Sequence, residues 1–285
     1  RIDIKTGLNP ANLAIPRRGT STRCHQCSAE VVKLLIQARQ VVKATLASNY
    51  VRNILLLASS TIIGQAIAIG ASPILTRLYE PGHFGVLALF SAVIAIVRTF
   101  SSLRYEFAIP LAKDKDHASG VFYLSLVVLL IVVIVCAALS LLRGGALLSV
   151  LGLAELRNYR LLIPIGVLAA GLYLILTYWA ISSKHLQAIS TTKVTQSLSG
   201  VLVQLGLGLT SSGPFGLLIG HVVGVSGGLV TLLKAMKKNP PVPPTIRGTI
   251  TAARMFVRFP AFTVPSSVIT SLTVQLPVLF LGQFY

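Results

Sequence analysis

Residues 72–90 read SPILTRLYEPGHFGVLALF, two apolar runs that meet at Glu80-Pro81-Gly82. Proline fixes φ and glycine tolerates a reversal, so two helices should leave this turn as a hairpin. The run that ends here begins at Ile54, and the run that starts here reaches Leu103. About 20 apolar residues cross the roughly 30 Å of bilayer hydrocarbon, so each arm is long enough to span. Arg77 stands beside the turn. Arginine is costly at mid-bilayer, so it either snorkels to the interface or faces a wet cavity.

The same pattern recurs along the chain. Residues 54–75, 84–103, 118–142, 161–183, 194–211, 215–233 and 262–282 are seven predicted spans. Composition agrees: 54% of the 285 residues are hydrophobic and 11% charged, against about 25% charged in a soluble domain. Mean hydropathy is +0.79. The expected fold is an all-α, polytopic helical membrane protein, with a six-helix N-terminal lobe and the first helix of a second lobe.

A formal charge of +18 on a soluble protein would suggest nucleic acid. Here the basic residues lie mostly between apolar runs, where they set topology, and no nucleic-acid partner is expected. With the N-terminus inside, sixteen Lys and Arg around the spans fall on the cytoplasmic side; Arg77, Arg143, Arg157 and Arg160 fall on the other. The expected N-terminus is therefore cytoplasmic. Three regions follow. Residues 1–49 form a basic, partly disordered extension without a clean signal peptide. Within it, 29–47 reads either as a basic helix lying on the membrane or as a solvated or artefactual upstream extension. Residues 50–238 form the six-span lobe. Residues 239–285 begin with NPPVPP, an extended cytoplasmic linker, and continue into the first span of a truncated C-terminal lobe. The chain starts with Arg rather than Met, so a fragment or a processed product is expected.

Several polar residues fall inside apolar runs. Fourteen residues, 84–97, precede Arg98, which puts it roughly 20 Å along its helix. Arg98, Ser101, Ser102 and Tyr105 are spaced to share one helical face, which should meet protein or water. Arg104-Tyr105-Glu106 follows; it reads as a surface ion pair of little energetic weight or as part of a site. Gly216, Gly220, Gly224 and Gly228 make a small-residue stripe of the kind that packs helices closely. His221 shares that helix. Gln65, Gln196, Gln204 and Gln275 lie within spans and need partners in the bundle or a cavity. Pro265 and Pro277 are candidate hinges, since proline removes a backbone hydrogen bond.

The chemistry of an enzyme is missing. No P-loop, G-x-S-x-G or H-E-x-x-H occurs. No Asp or Glu lies within any of the predicted spans. Cys24-His25-Gln26-Cys27 lacks the second ligand pair of a closed zinc site. No catalytic residue, metal or cofactor is expected.

The segments SPILTRLYEPGHFGVLALF, SLRYEFAIPLAKDKDHA, YWAISSKHLQAISTTKVTQS, GLLIGHVVG and RFPAFTVPSSVITSLTVQLPVLFLG together resemble a known group. It is the lipopolysaccharide and polysaccharide biosynthesis proteins, the O-antigen (Wzx-type) flippases of the multidrug/oligosaccharidyl-lipid/polysaccharide exporter superfamily. The resemblance covers roughly residues 53–285. It implies a transporter of two six-helix lobes in the bacterial inner membrane. Its central cavity would alternately expose undecaprenyl-pyrophosphate-linked oligosaccharide to the cytoplasmic and periplasmic leaflets. Membrane lipids, a polysaccharide polymerase and assembly proteins are the implied partners. On that basis Arg77, Arg98, Arg104 and Arg258 are candidates for the anionic-headgroup path. Arg77 and Arg104 rest on motif positions, Arg98 and Arg258 on placement alone. The competing readings are a drug or cation antiporter of the same superfamily and a non-transporting membrane scaffold.

Overall fold

The computed structural model describes residues 49–112, 114–142, 154–210, 212–243, 249, 255–256 and 259–284. Every regular element among them is helical. In chain order α1 is Asn49–Leu78, α2 Pro81–Phe100, α3 Lys115–Leu142 and α4 Leu162–Ser182. Then come α5 Leu186–Gly208, α6 Pro214–Ser226, α7 Leu229–Lys238 and α8 Val264–Phe284. Short 3-10 segments, Tyr105–Leu111 and Ala154–Tyr159, follow α2 and precede α4; a π turn, Phe259–Thr263, leads into α8. Asn53–Tyr285 forms one compact unit. The expectations for residues 1–48, including Cys24-His25-Gln26-Cys27, and for Arg258 fall outside the described residues.

Among the described residues six segments are long and apolar enough to cross a bilayer: Leu55–Leu78, Pro81–Phe100, Lys115–Leu142, Leu162–Ser182, Pro214–Lys238 and Pro260–Leu281. The protein is an all-α, multi-pass membrane protein. The predicted span 194–211 is helical as far as Gly208 but does not meet that standard. It is the second half of α5, whose first half carries Ser190, Thr191, Thr192 and Lys193. Those residues end a hydropathy window without ending a helix, so α5 begins eight residues earlier than predicted. The predicted span 215–233 is two helices, α6 and α7, separated at Gly227 and Gly228.

The opening hairpin forms at the expected turn. Glu80 is extended at the N-cap and Pro81 starts α2, where a missing N–H costs nothing. Tyr79, beside it, is 4% exposed. Its hydroxyl donates to the Gln204 carbonyl of α5 over 2.7 Å. A Cβ built on Gly208 would lie 2.9 Å from the Tyr79 ring, and one on Gly216 would collide with its hydroxyl. The two glycines make the slot into which this ring fits.

The centre of the bundle is α4. In its most apolar window 61% lies inside the protein, against 17% for the corresponding windows of α1 and α3. One core cluster gathers Trp179, Ile175 and Leu176 of α4 with Phe122, Leu129 and Ile109. A second joins Ile163 and Val167 to Phe90, Leu156 and Leu218. Lipid is as apolar as these side chains, so close packing rather than escape from water selects this arrangement. Gly166 and Gly171 allow it, abutting the side chains of Ile94 and Leu129. α8 packs on α2, with Thr99 Oγ1 and Ser271 Oγ 2.8 Å apart. Pro265 stands in the first turn of α8, where proline is harmless, and Pro277 lies inside the helix. The backbone irregularity is the π turn just before Val264.

Candidate functional site

A cavity of about 690 Å³ opens among α1, α2, α4, α5 and α6. α5 supplies the largest share of its wall. Lys193, Gln196, Ser197, Gly200, Val201 and Gln204 all line it, and spacings of three and four put them on one helical face. Gln65 comes from α1, Arg98 from α2, Tyr173 from α4 and His221 from α6. The opposed wall is close because both helices carry glycine where they cross. A Cβ on Gly200 would lie 3.1 Å from Gly224 Cα and 3.2 Å from the Gly220 carbonyl. Gly228 abuts Thr192 at the other end of the contact. The stripe Gly216, Gly220, Gly224 and Gly228 thus faces α5 from Gly216 to the break after α6.

The polar groups are braced. Gln196 Nε2 donates to the Val225 carbonyl over 2.9 Å, and Gln204 Nε2 reaches the Leu217 carbonyl at 3.4 Å. Each amide has further donor and acceptor capacity after one bond. Lys193 Nζ stands 5.6 Å from the Tyr173 ring centroid, a cation–π distance. Tyr173 and Thr192 share a hydroxyl hydrogen bond of 2.9 Å. His221 meets Phe90 edge to face, with ring centroids 6.1 Å apart. Arg98 is exposed although it lies within a span. Among the described residues the lining holds two basic side chains, Arg98 and Lys193, and no Asp or Glu.

A family model described as polysaccharide biosynthesis protein matches residues 74–285. The chain belongs to that family. No curated protein and no solved structure matches it. The matched region takes in Arg98, Lys193, Gln196, Gln204 and His221, while Gln65 lies before it.

In this polysaccharide biosynthesis protein, the three predicted arginines among the described residues have separate fates. Arg98 lines the cavity. Arg77 is exposed in the last turn of α1, where a cation complements the helix dipole, and it does not line the cavity. Arg104 also lies elsewhere. Its Nη1 is 3.8 Å from Glu106 Oε1, and its guanidinium sits 5.1 Å from the Phe107 ring centroid.

Two expectations need correction here. The stripe Arg98-Ser101-Ser102-Tyr105 does not continue as one helical face. α2 ends at Phe100, and Leu103 and Arg104 adopt positive φ, 48° and 61°. The turn buries Ser101, Ser102 and Tyr105 in protein and leaves Arg98 at the cavity. Nor is Arg104–Glu106 a surface pair, because Glu106 is 1% exposed. Ser102 Oγ donates to Glu106 Oε2. Burial pushes the Glu106 carboxyl above its ordinary range, opposed by that hydroxyl, by a backbone hydrogen bond and by the charges of Arg104 and Arg98.

Lys193 and Ser197 are site residues that hydropathy missed. The charge count placed Lys193 in a loop between spans, yet it is the eighth residue of α5, about 10 Å from its start. The signal was its spacing to Gln196, Ser197 and Gln204. Gln275 is half-buried on α8, away from this cavity.

Proposed function

We propose that the protein is a flippase for undecaprenyl-pyrophosphate-linked oligosaccharide. Its cavity receives the pyrophosphate headgroup on the way from the cytoplasmic to the periplasmic leaflet of the bacterial inner membrane. The carrying observation is a membrane-embedded cavity with Arg98 and Lys193 in its wall and no carboxylate. A pyrophosphate concentrates negative charge on oxygens that accept charge-assisted hydrogen bonds. Arg98 offers a planar fork that can grip two of them, while Lys193 supplies a compact point charge. The amides of Gln65, Gln196 and Gln204 and the Ser197 hydroxyl add neutral donors, which hold a phosphate or a sugar without the cost of burying more charge. Family membership in polysaccharide biosynthesis agrees with a glycan cargo. The Lys and Arg bias supports a cytoplasmic N-terminus.

The rival antiporter of cationic drugs draws on one observation, the buried carboxyl of Glu106. That carboxyl is held by Ser102 and faces Arg104, and it is not in the cavity wall. A cation entering the cavity would meet Arg98 and Lys193 in its wall.

The test is flipping of labelled lipid-linked oligosaccharide in vesicles containing the full chain. Arg98→Ala and Lys193→Ala should each slow flipping about tenfold, one lost charge-assisted contact being worth roughly 1.5–3 kcal/mol, at unchanged protein level. Wild-type rates in the double variant would overturn the site. No flipping by the unaltered protein would favour a scaffold.

A further inference from the structure

A second cavity, of about 420 Å³, lies at the end of the bundle where α3 starts and α4 and α7 stop. Lys115 enters it from the first turn of α3, Ser182, Ser183 and Lys184 from the end of α4, and Asn239 from just beyond α7. Trp179, 3% exposed, forms part of the wall. The pocket is braced on several sides. Trp179 Nε1 donates to the Asn239 carbonyl over 3.0 Å, and Asn239 Nδ2 is 2.9 Å from His185 Nε2. The Val242 N–H donates to Ser119 Oγ over 2.9 Å, which ties the extended chain after α7 to α3. Lys184 adopts φ 58°, fixed by its N–H bond to the Ile181 carbonyl.

Charge and apolar surface meet here. Lys237 and Lys238, in the last turn of α7, add positive charge beside Asn239. The one acid in the wall, Asp114, has its carboxylate 3.5 Å from His117 Nδ1. From the same end, α3 runs away with Val127, Leu130, Ile131 and Ile134 exposed along its length. We propose that this pocket binds the phosphate-bearing headgroup of an anionic membrane lipid, with the acyl chains passing into the hydrocarbon that the exposed residues of α3 face. Two ammonium groups, two serine hydroxyls and an asparagine amide suit a phosphate diester. A tryptophan with its N–H bonded suits the level where hydrocarbon meets headgroups. The site is independent of what the larger cavity carries.

The chain has one tryptophan, so Trp179 fluorescence reports this pocket alone. Purified full-length chain in neutral detergent should show a saturable change in Trp179 emission with phosphatidylglycerol and none with phosphatidylcholine. Lys115→Gln/Lys184→Gln should weaken that titration roughly thirtyfold, about fivefold for each lysine near an anionic headgroup. Lys184→Arg should retain most of it, and Lys193→Gln, in the other cavity, should leave it unchanged. If the double variant fails to fold, Lys115→Gln alone carries the test at about fivefold. Equal affinity in the charge-deleted proteins, or an equal response to phosphatidylcholine, overturns the proposal. Saturation by inorganic phosphate at the same concentration overturns the lipid and assigns the pocket to a soluble phosphate.

Discussion

α4 and α5 are neighbours in the chain, 21 and 23 residues long, and they are put to opposite uses. α4 is apolar and buried, and the two larger core clusters are built against it. α5 carries a lysine, three glutamines and a series of Ser and Thr, and turns a polar face to a cavity. The difference teaches that the helix holding this fold is one that hydropathy detects in full. The helix it half misses is the one equipped to meet a charged ligand. Polar groups are tolerated at membrane depth only where protein or water receives them, so α5 implies a wet cavity as surely as α4 implies a dry core.

Substitutions can break that contrast. The largest effect is expected from Gly171→Leu on α4. A Cβ there already meets the Leu129 side chain and lies 3.2 Å from Ser101 Oγ. Overpacking costs typically about 1–3 kcal/mol, and a whole leucine side chain should reach the upper end. Size-exclusion profiles should lose the monodisperse peak, and flipping should vanish with it. A well-folded Gly171→Leu protein would remove α4 from the centre of the packing. Lys193→Ala on α5 should do the reverse: normal elution and melting, with flipping reduced about tenfold through one lost charge-assisted contact. Loss of folded protein in that variant would make α5 a packing helix as well.

A smaller effect sharpens the picture at the edge of α4, where Glu106 packs near Tyr178. Burial raises the Glu106 carboxyl above its ordinary value of 4.5, so in that window the folded state binds more protons than the unfolded chain. Stability should therefore fall as pH rises from 4.5 through the folded value, then level off. Melting curves of Glu106→Gln should lack that slope; an unchanged slope would place its origin elsewhere. The smallest effect belongs to Thr192→Val, which removes the Tyr173–Thr192 bond between α4 and α5. Interhelical hydrogen bonds in membranes average about 0.6 kcal/mol, so the melting point should drop by roughly 2 °C or less. A drop several times larger would mean that the two helices are less separable in role than their sequences suggest.

The legible part of this architecture was the part written in long apolar runs. The hairpin at Glu80-Pro81-Gly82 and the predicted spans 118–142 and 161–183 agree with α3 and α4 to within three residues at each end. Arg98 was legible because its distance into an apolar run could be counted. Lys193 was not, since a cation among Thr and Ser looks like a loop until the helix is known to continue through it. The turn at Leu103 and Arg104 was hidden for another reason. Left-handed backbone is normally announced by Gly or Asn, and here two ordinary residues adopt it. That turn redirected Ser101, Ser102 and Tyr105 from the face on which their spacing would have placed them.

The Tyr79 hydroxyl takes a main-chain carbonyl of α5 as its acceptor, and the side chain of that same residue, Gln204, lines the cavity. One position therefore carries two functions on different atoms. Any residue at 204 presents the same carbonyl, so attachment of the hairpin and the chemistry offered to a ligand can diverge separately. A change at Tyr79 unfastens the hairpin whatever ligand the cavity meets, and a change at 204 can alter the cavity wall with the fastening intact.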